Sequence, residues 1–393
     1  MKDMVVIMDP PDHPSGIRLG ESLRPMRALL KTIAQLSIIL VTIALSSCGL
    51  NTVGEGSGSS PGPAVRISYQ WPVSSPSAQG MDPLTIATGL RQIQDSPFIL
   101  SVLIVRNDSL VLEYYAPGLV PENDFPSREI SASILSALLG QAIDRGIIRS
   151  VQEKVLPYFQ DFDTTQQDPR KQQWTIEHMI TMRSGMDWND AQDYLKYFTS
   201  GNNWLRTALG LPLRYSPGAT FNYTTPNANI VAGLLARAEG ISMFRFAQTN
   251  LFDPLQISIR SWDSDPQEYH LGGTGMHFTP RDLARFGQLY LHNGFLDGKQ
   301  IVPREWIRQS LIPRNGSNMT KGDLTSLNFG YYWWTNYNSR DSIIIASGFG
   351  GQGIYLIPAR NMIIVTIGDT GVTPQDASAN ELAIIGILRK YFF

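Results

Sequence analysis

The sequence predicts an α+β protein, on three observations. Two runs of β-branched and aromatic residues near position 100 are joined by a short polar turn; a long apolar segment with helical spacing follows; and a glycine-rich strand-turn-strand pattern precedes an apolar helix at the C-terminal end. With 42% apolar residues and eight tryptophans, the chain can bury a large interior. No internal repeat or second linker divides it after residue 67.

Each element has its own warrant. SPFILSVLIVRNDSLVLEYYAPG reads as two strands rich in Ile, Val, Leu and Tyr around an Asn107-Asp108 turn, hence a hairpin. In SREISASILSALLGQAIDRG, Ser127 stands where it can cap a helix. Ile130, Ile134, Leu135, Leu138, Leu139 and Ile143 recur at the spacing of one buried helical face. SIIIASGFGGQGIYLIP reads as strand, glycine turn, strand, and ELAIIGILRKYFF, with Leu382, Ile385 and Leu388 in phase, reads as a closing helix.

This order, with the wording LIVRN, LVLEYY and SALLGQAIDRGII, resembles the β-lactamase-related or penicillin-recognising serine hydrolases: class C β-lactamases, D-alanyl-peptidases, esterases and oligoamide hydrolases. TIEHMITMRSGMDW, FNYTTPNANIVAGLLARAEG, GTGMHFTPRDLARFGQLYLHNGFLDGKQIVPREW and ASGFGGQGIYLIPARNMIIVTIGD continue the likeness in the family's order, from about Trp71 to Phe393. The resemblance implies a β-lactamase/transpeptidase-like fold. It has a mostly antiparallel sheet, built from strands near Phe98 to Tyr115 and Tyr331 to Ile367, flanked by helices. A helical region is inserted at about 128–325, with a cleft between the two parts.

In that family the first buried helix opens with Ser-x-x-Lys, a nucleophile and its base one helical turn apart. Aligned through SALLG, the serine position is Glu129 and the lysine position is Ala132, and no Ser-x-x-Lys occurs anywhere in the chain. Two readings of Glu129 stay open. A carboxylate in a first helical turn is favoured by the helix dipole and needs no chemistry, whereas a replacement base or carboxylate nucleophile would need a partner that nothing nearby in sequence supplies.

Other parts of the implied site are better kept. Tyr223 matches the tyrosine of the family's Tyr-x-Asn or Tyr-x-Ser element, which relays the leaving-group proton; Thr225 departs from that element at its third residue. Ala346-Ser347-Gly348 falls where the family has Lys-Thr-Gly or looser variants, leaving Ser347 as the polar survivor. Gly348 and Gly350 would let the strand lie close to a ligand, and the Phe349 N–H would form half of an oxyanion hole, the other half coming from residue 129. A glycine-rich bulge or hairpin turn is the plainer reading of the same run.

Several functional classes are poorly supported. The histidines, His13, His178, His270, His277 and His292, lack metal-ligand spacing, so no metal and no cofactor are expected. GGTG at 272–275 lacks the lysine and context of a phosphate loop. By the resemblance it is a turn before a helix capped by Thr279, with Pro280 first and Asp282 completing a capping box. A formal charge of −2 without a basic run gives nucleic acid no footprint.

The N-terminus carries an address. Arg24, Arg27 and Lys31 precede the apolar run TIAQLSIILVTIAL, which ends in Leu45-Ser46-Ser47-Cys48, similar to a bacterial lipobox. The expected organisation is a mis-started extension at 1–25 and a lipoprotein signal peptide at 26–47. A lipidated Cys48 with a Gly/Ser/Pro-rich tether follows at 48–66, and the β-lactamase-related domain occupies 67–393. The chain therefore reads as an exported, membrane-anchored envelope lipoprotein with a cleft for an ester, amide or peptidoglycan-like ligand. Its serine chemistry is replaced, with a non-standard hydrolase or an interaction module as alternatives.

Overall fold

Asn107 and Asp108 both take left-handed backbone (φ 49° and 60°), the conformation a two-residue hairpin turn demands. They join β1 (Ile99–Arg106) to β2 (Ser109–Tyr115) as the sequence predicts. In the computed structural model the described residues are 69–162, 168–199, 203–315, 319–337 and 342–393. The expected signal peptide, Cys48 and tether lie outside them.

The hairpin is preceded by α1 (Pro83–Gln94), and β3 (Phe125–Pro126) leads into α2 (Ile130–Asp144). The helical region continues with α3 (Ile176–Ile180), α4 (Asp190–Thr199), α5 (Trp204–Gly210), α6 (Thr225–Glu239), α7 (Met243–Ala247) and α8 (Asp253–Leu255). Next come β4 (Ser261–Trp262), β5 (Met276–Phe278), α9 (Pro280–Leu291), β6 (Phe295–Leu296), β7 (Lys299–Gln300) and α10 (Arg304–Ser310). The chain then returns to the sheet through β8 (Met319–Lys321), β9 (Leu324–Phe329), β10 (Trp334–Asn336), β11 (Ile343–Gly348), β12 (Gln352–Ile357) and β13 (Met362–Gly368), and ends in α11 (Pro374–Tyr391).

The main sheet has eight strands in the order β2-β1-β13-β12-β11-β10-β9-β8, every neighbour antiparallel. Its two faces follow from strand alternation. Leu103, Val105, Ile354, Leu356, Ile363 and Val365 face the helical region, while Val102, Ile104, Ile343, Ile345, Tyr355 and Ile364 face α1 and α11. Burial on both faces explains why these strands read as unbroken apolar runs. The sheet also takes two strands, β8 and β9, from the start of the stretch between α10 and β10. The helical insertion consequently ends a few residues earlier than the expected 325.

Two periodicity readings need correction. Helix α2 is not amphipathic: Ile130 to Ala142 are all buried, the serines included, because the helix is packed between the sheet, α6 and α10; Ile143, expected inside, is half-buried. On α11 the buried residues are Ala377, Ile384, Ile385 and Leu388, whereas Leu382 is 43% exposed, on the rim beside Gly322 of the β8–β9 turn. Ser127 is not the cap of α2. That place is taken by Glu129, while Ser127 directs its hydroxyl at the Met276 carbonyl (2.9 Å). At α9 the predicted cap is present: Thr279 Oγ1 accepts from the Asp282 amide (3.2 Å) and donates to its carboxylate (2.8 Å).

Gly140 shows how tightly α2 is held. A Cβ there would lie 2.3 Å from the Trp306 ring of α10. Gly140→Ala should lower stability by about 1–3 kcal/mol through overpacking, despite alanine's better helix propensity. Urea unfolding is the check, and an unchanged midpoint would mean the α2–α10 contact yields freely.

Candidate functional site

The candidate site lies where the N-terminus of α2 meets the end of β11. The chain enters this point from β3, paired to β5 and tied by the Ser127 amide to the Met276 carbonyl (2.8 Å). Arg128 then turns left-handed (φ 51°), an uncommon conformation for a non-glycine residue, and Glu129 opens the helix. On the other side Gly348 is required. A Cβ on it would stand 2.8 Å from Arg128 Cβ, 2.9 Å from Ser127 O and 3.0 Å from Glu129 N. The strand continues into Phe349 and a turn in which Gly350 and Gly351 are both left-handed (φ 80° and 93°).

This close approach gives Glu129 a partner 220 residues away. The Phe349 N–H donates to Glu129 Oε2 at 2.7 Å. The carboxylate makes no capping bond to its own helix. Burial pushes the Glu129 carboxyl up to about 7; the Phe349 N–H and the residue's own amide oppose that rise, and the Asp190 charge adds to it. The two N–H groups on which the resemblance builds an oxyanion hole therefore both act on the Glu129 side chain. Ala132, at the lysine position, is buried in the next turn.

Tyr223 stands before α6, its ring nearly parallel to Trp334 (centroids 6.2 Å apart, planes 8° apart) and edge-on to Phe329. Burial, and then the negative charges of Glu129 and Asp190, hold its phenol well above the usual range, so it is a proton donor at neutral pH. Thr225 is fully buried, and its hydroxyl donates to Asp190 Oδ2 (3.0 Å). Asp190 also accepts from the Thr225 amide and the Trp188 indole. Ser347 is likewise committed: it accepts from Lys321 Nζ (2.7 Å) and donates to Glu381 of α11 (2.7 Å), and Lys321 pairs with Glu381 at 2.6 Å. Gly350 sits on the Asp369–Thr370 backbone.

Sequence reasoning missed the contribution of α4. Asp190 and Tyr194 both face Glu129: the Asp190 charge adds to the rise of the Glu129 carboxyl, and Tyr194 is raised by burial and then by the Glu129 charge. Neither belongs to a motif, and only the packing of α4 over the cleft identifies them. Trp334 and Lys321 were missed for the same reason. Three of the histidines have structural partners: His292 bonds Asp108 (2.8 Å), His277 lies 3.4 Å from Asp124, and His178 takes part in the cap of α3; His13 lies outside the described residues.

The raised Glu129 carboxyl makes a stability prediction with a definite sign. Between the ordinary value of 4.5 and about 7 the folded state binds the proton that the unfolded state has lost, so this group's contribution falls as pH rises through that window. Glu129→Gln, which cannot ionise, should match the wild type at pH 4.5 and exceed it at pH 8 by on the order of 1–3 kcal/mol, discounted for residual solvent contact. Urea unfolding at the two pH values measures it; a difference that does not change with pH would contradict the assignment.

A family model described as Beta-lactamase matches residues 101–388. The 6-aminohexanoate-dimer hydrolase of Paenarthrobacter ureafaciens is 24% identical over 282 residues, covering 67% of this chain and 71% of that protein. A Bacillus anthracis protein assigned as a 6-aminohexanoate-dimer hydrolase superimposes with a TM-score of 0.62 at 19% identity, over 76% of this chain and 81% of that one. A penicillin-binding protein homologue from Caulobacter crescentus does so with a TM-score of 0.58 at 13% identity, over 78% and 98%. The sheet order, the helix entering beneath β11 and the length of the family match lead to one assignment: this chain belongs to the β-lactamase-related family of serine hydrolases.

Proposed function

We propose that this protein is an exported envelope lipoprotein whose β-lactamase-type cleft binds a ligand without forming an acyl-serine. The observation that carries this reading is the 2.7 Å hydrogen bond from the Phe349 N–H to Glu129. Acyl transfer needs a nucleophile beneath the carbonyl carbon and free donors at the carbonyl oxygen. Here the nucleophile position bears a carboxylate, the lysine position bears the methyl group of Ala132, and the oxyanion donor is taken by the protein itself. The fold is that of the family, Tyr223 stacks beside Trp334 and the Phe349 backbone lies at the mouth of α2, which favours a cleft for an ester, amide or peptidoglycan-like ligand. Cys48, after an apolar run and a lipobox-like Leu-Ser-Ser, would hold the domain at the membrane through the flexible tether.

One observation favours a second reading, an active hydrolase. A carboxyl titrating near 7 is matched to general-base work at neutral pH. Glu129 would then have to leave Phe349 before a substrate carbonyl could occupy the hole. Turnover of a generic ester separates the two readings.

Fluorescent penicillins and fluorophosphonates should leave the purified protein unlabelled; a stable adduct on any serine would overturn the non-acylating reading. For anchoring, the wild type should fractionate with membranes and Cys48→Ser should be released or processed differently. Mass spectrometry finding no lipid on Cys48 in the native host would end the lipoprotein proposal.

A further inference from the structure

Glu129 is unusual in how it spends its carboxylate. An acidic residue that opens a helix ordinarily turns back to accept from the first amides of that helix. This one makes no such bond and reaches across to Phe349 instead. With the carboxyl ionised the contact is charge-assisted, roughly twice as strong as a neutral one, so protonation weakens it. Its surroundings oppose that charge. The Asp190 charge on α4 raises the Glu129 carboxyl, Tyr194 of α4 and Tyr223 ahead of α6 each feel the Glu129 charge, and Tyr332 and Glu381 act in turn on Tyr223. On the favourable side stands Arg128, whose guanidinium lies over the Phe349 ring at 5.8 Å. The turn after β11 contributes no titratable side chain: its Phe349, Gly350 and Gly351 offer only backbone and an apolar ring.

We infer that Glu129 is a pH-dependent latch: ionised, it occupies the Phe349 N–H and closes the cleft to ligands, and protonated, it yields that donor to a ligand bearing a carboxylate oxygen. This inference rests on the non-acylating reading of the cleft and adds both a ligand class, an organic anion with an apolar or aromatic body, and a condition for binding. The anion would take over the hydrogen bond that Glu129 gives up. Its body would lie against Tyr223, Trp334 and Phe349, the rings that border the hole. Protonation also removes the negative charge that would repel the incoming carboxylate. The midpoint should fall near pH 7, where burial places the Glu129 carboxyl.

Phenylacetate is a suitable probe, because its carboxylate titrates near pH 4, as ordinary carboxylates do, and stays ionised across the range tested. With the full chain, calorimetric binding at pH 6 and pH 8 should differ by about tenfold, tighter at pH 6, since the competent fraction sets the apparent affinity. Glu129→Ala, verified as folded by circular dichroism, should bind with the tighter affinity at both pH values. Asp190→Asn should keep the pH dependence with a lower midpoint. A second measurement needs no ligand: the Phe349 amide resonance of the wild type should move with a midpoint near pH 7, and in Glu129→Gln it should not. Equal binding at both pH values in the wild type, a pH effect that survives in Glu129→Ala, or a Phe349 resonance that ignores pH would each overturn the latch. Covalent labelling of a serine would instead sink the non-acylating reading and the inference built on it, whereas an unlabelled protein with pH-independent binding would sink the latch alone, so the two failures are distinguishable.

Discussion

Where the end of β11 lies against residues 127–129, a Cβ at position 348 would stand 3.0 Å or less from three atoms of that segment, so glycine alone lets the two backbones meet. The approach brings the Phe349 amide to the mouth of α2, and it gives the Glu129 carboxylate somewhere to go. It also ties the sheet to the helical region at one point, since β11 belongs to the former and α2 runs beneath the latter. The left-handed Arg128 and the paired left-handed glycines at 350 and 351 are the local conformations that let each chain turn away after the contact.

The electrostatics of the site follow from what the first turn of α2 carries: an acidic side chain at Glu129 and a methyl group at Ala132. That anion is partly sequestered and feels another carboxylate at Asp190, so its charge is tolerated through the Phe349 hydrogen bond, its own amide and Arg128. Asp190 is in turn fixed by Trp188 and Thr225, which anchors α4 over the site. Ser347, which could have faced a ligand, is drawn into a cluster with Lys321 and Glu381 that secures β8 and α11 to β11.

The hairpin, the strand-turn-strand at 343–357 and the cap at Thr279 were legible in the sequence, because each is a local pattern whose hydrogen bonds close within a few residues. The absence of any Ser-x-x-Lys was legible too, since it is a matter of residue identity. Helix α2 was misjudged as one-faced: its small residues, Ser131, Ser133, Ser136 and Gly140, look like a polar face until neighbours close over them. Leu382 was placed inside by its spacing and lies on the rim, because burial on α11 depends on where the β8–β9 turn stops.

By itself, then, the sequence determined the order of elements, the family they compose, and the absence of any Ser-x-x-Lys from the chain. Tertiary structure alone decided what the Glu129 carboxyl meets. Glu129 could be read from the sequence only as a residue favoured by a helix dipole, since its partner lies 220 residues away and is a backbone amide with no side-chain signature. Asp190 and Tyr194 could not be assigned to the site at all, because Asp190 is tied to Thr225 and Tyr194 to Thr274 by long-range contacts that no local spacing encodes. Hydrogen bonds between distant backbone and side chain, and pKa shifts caused by burial, arise only once the chain has closed on itself.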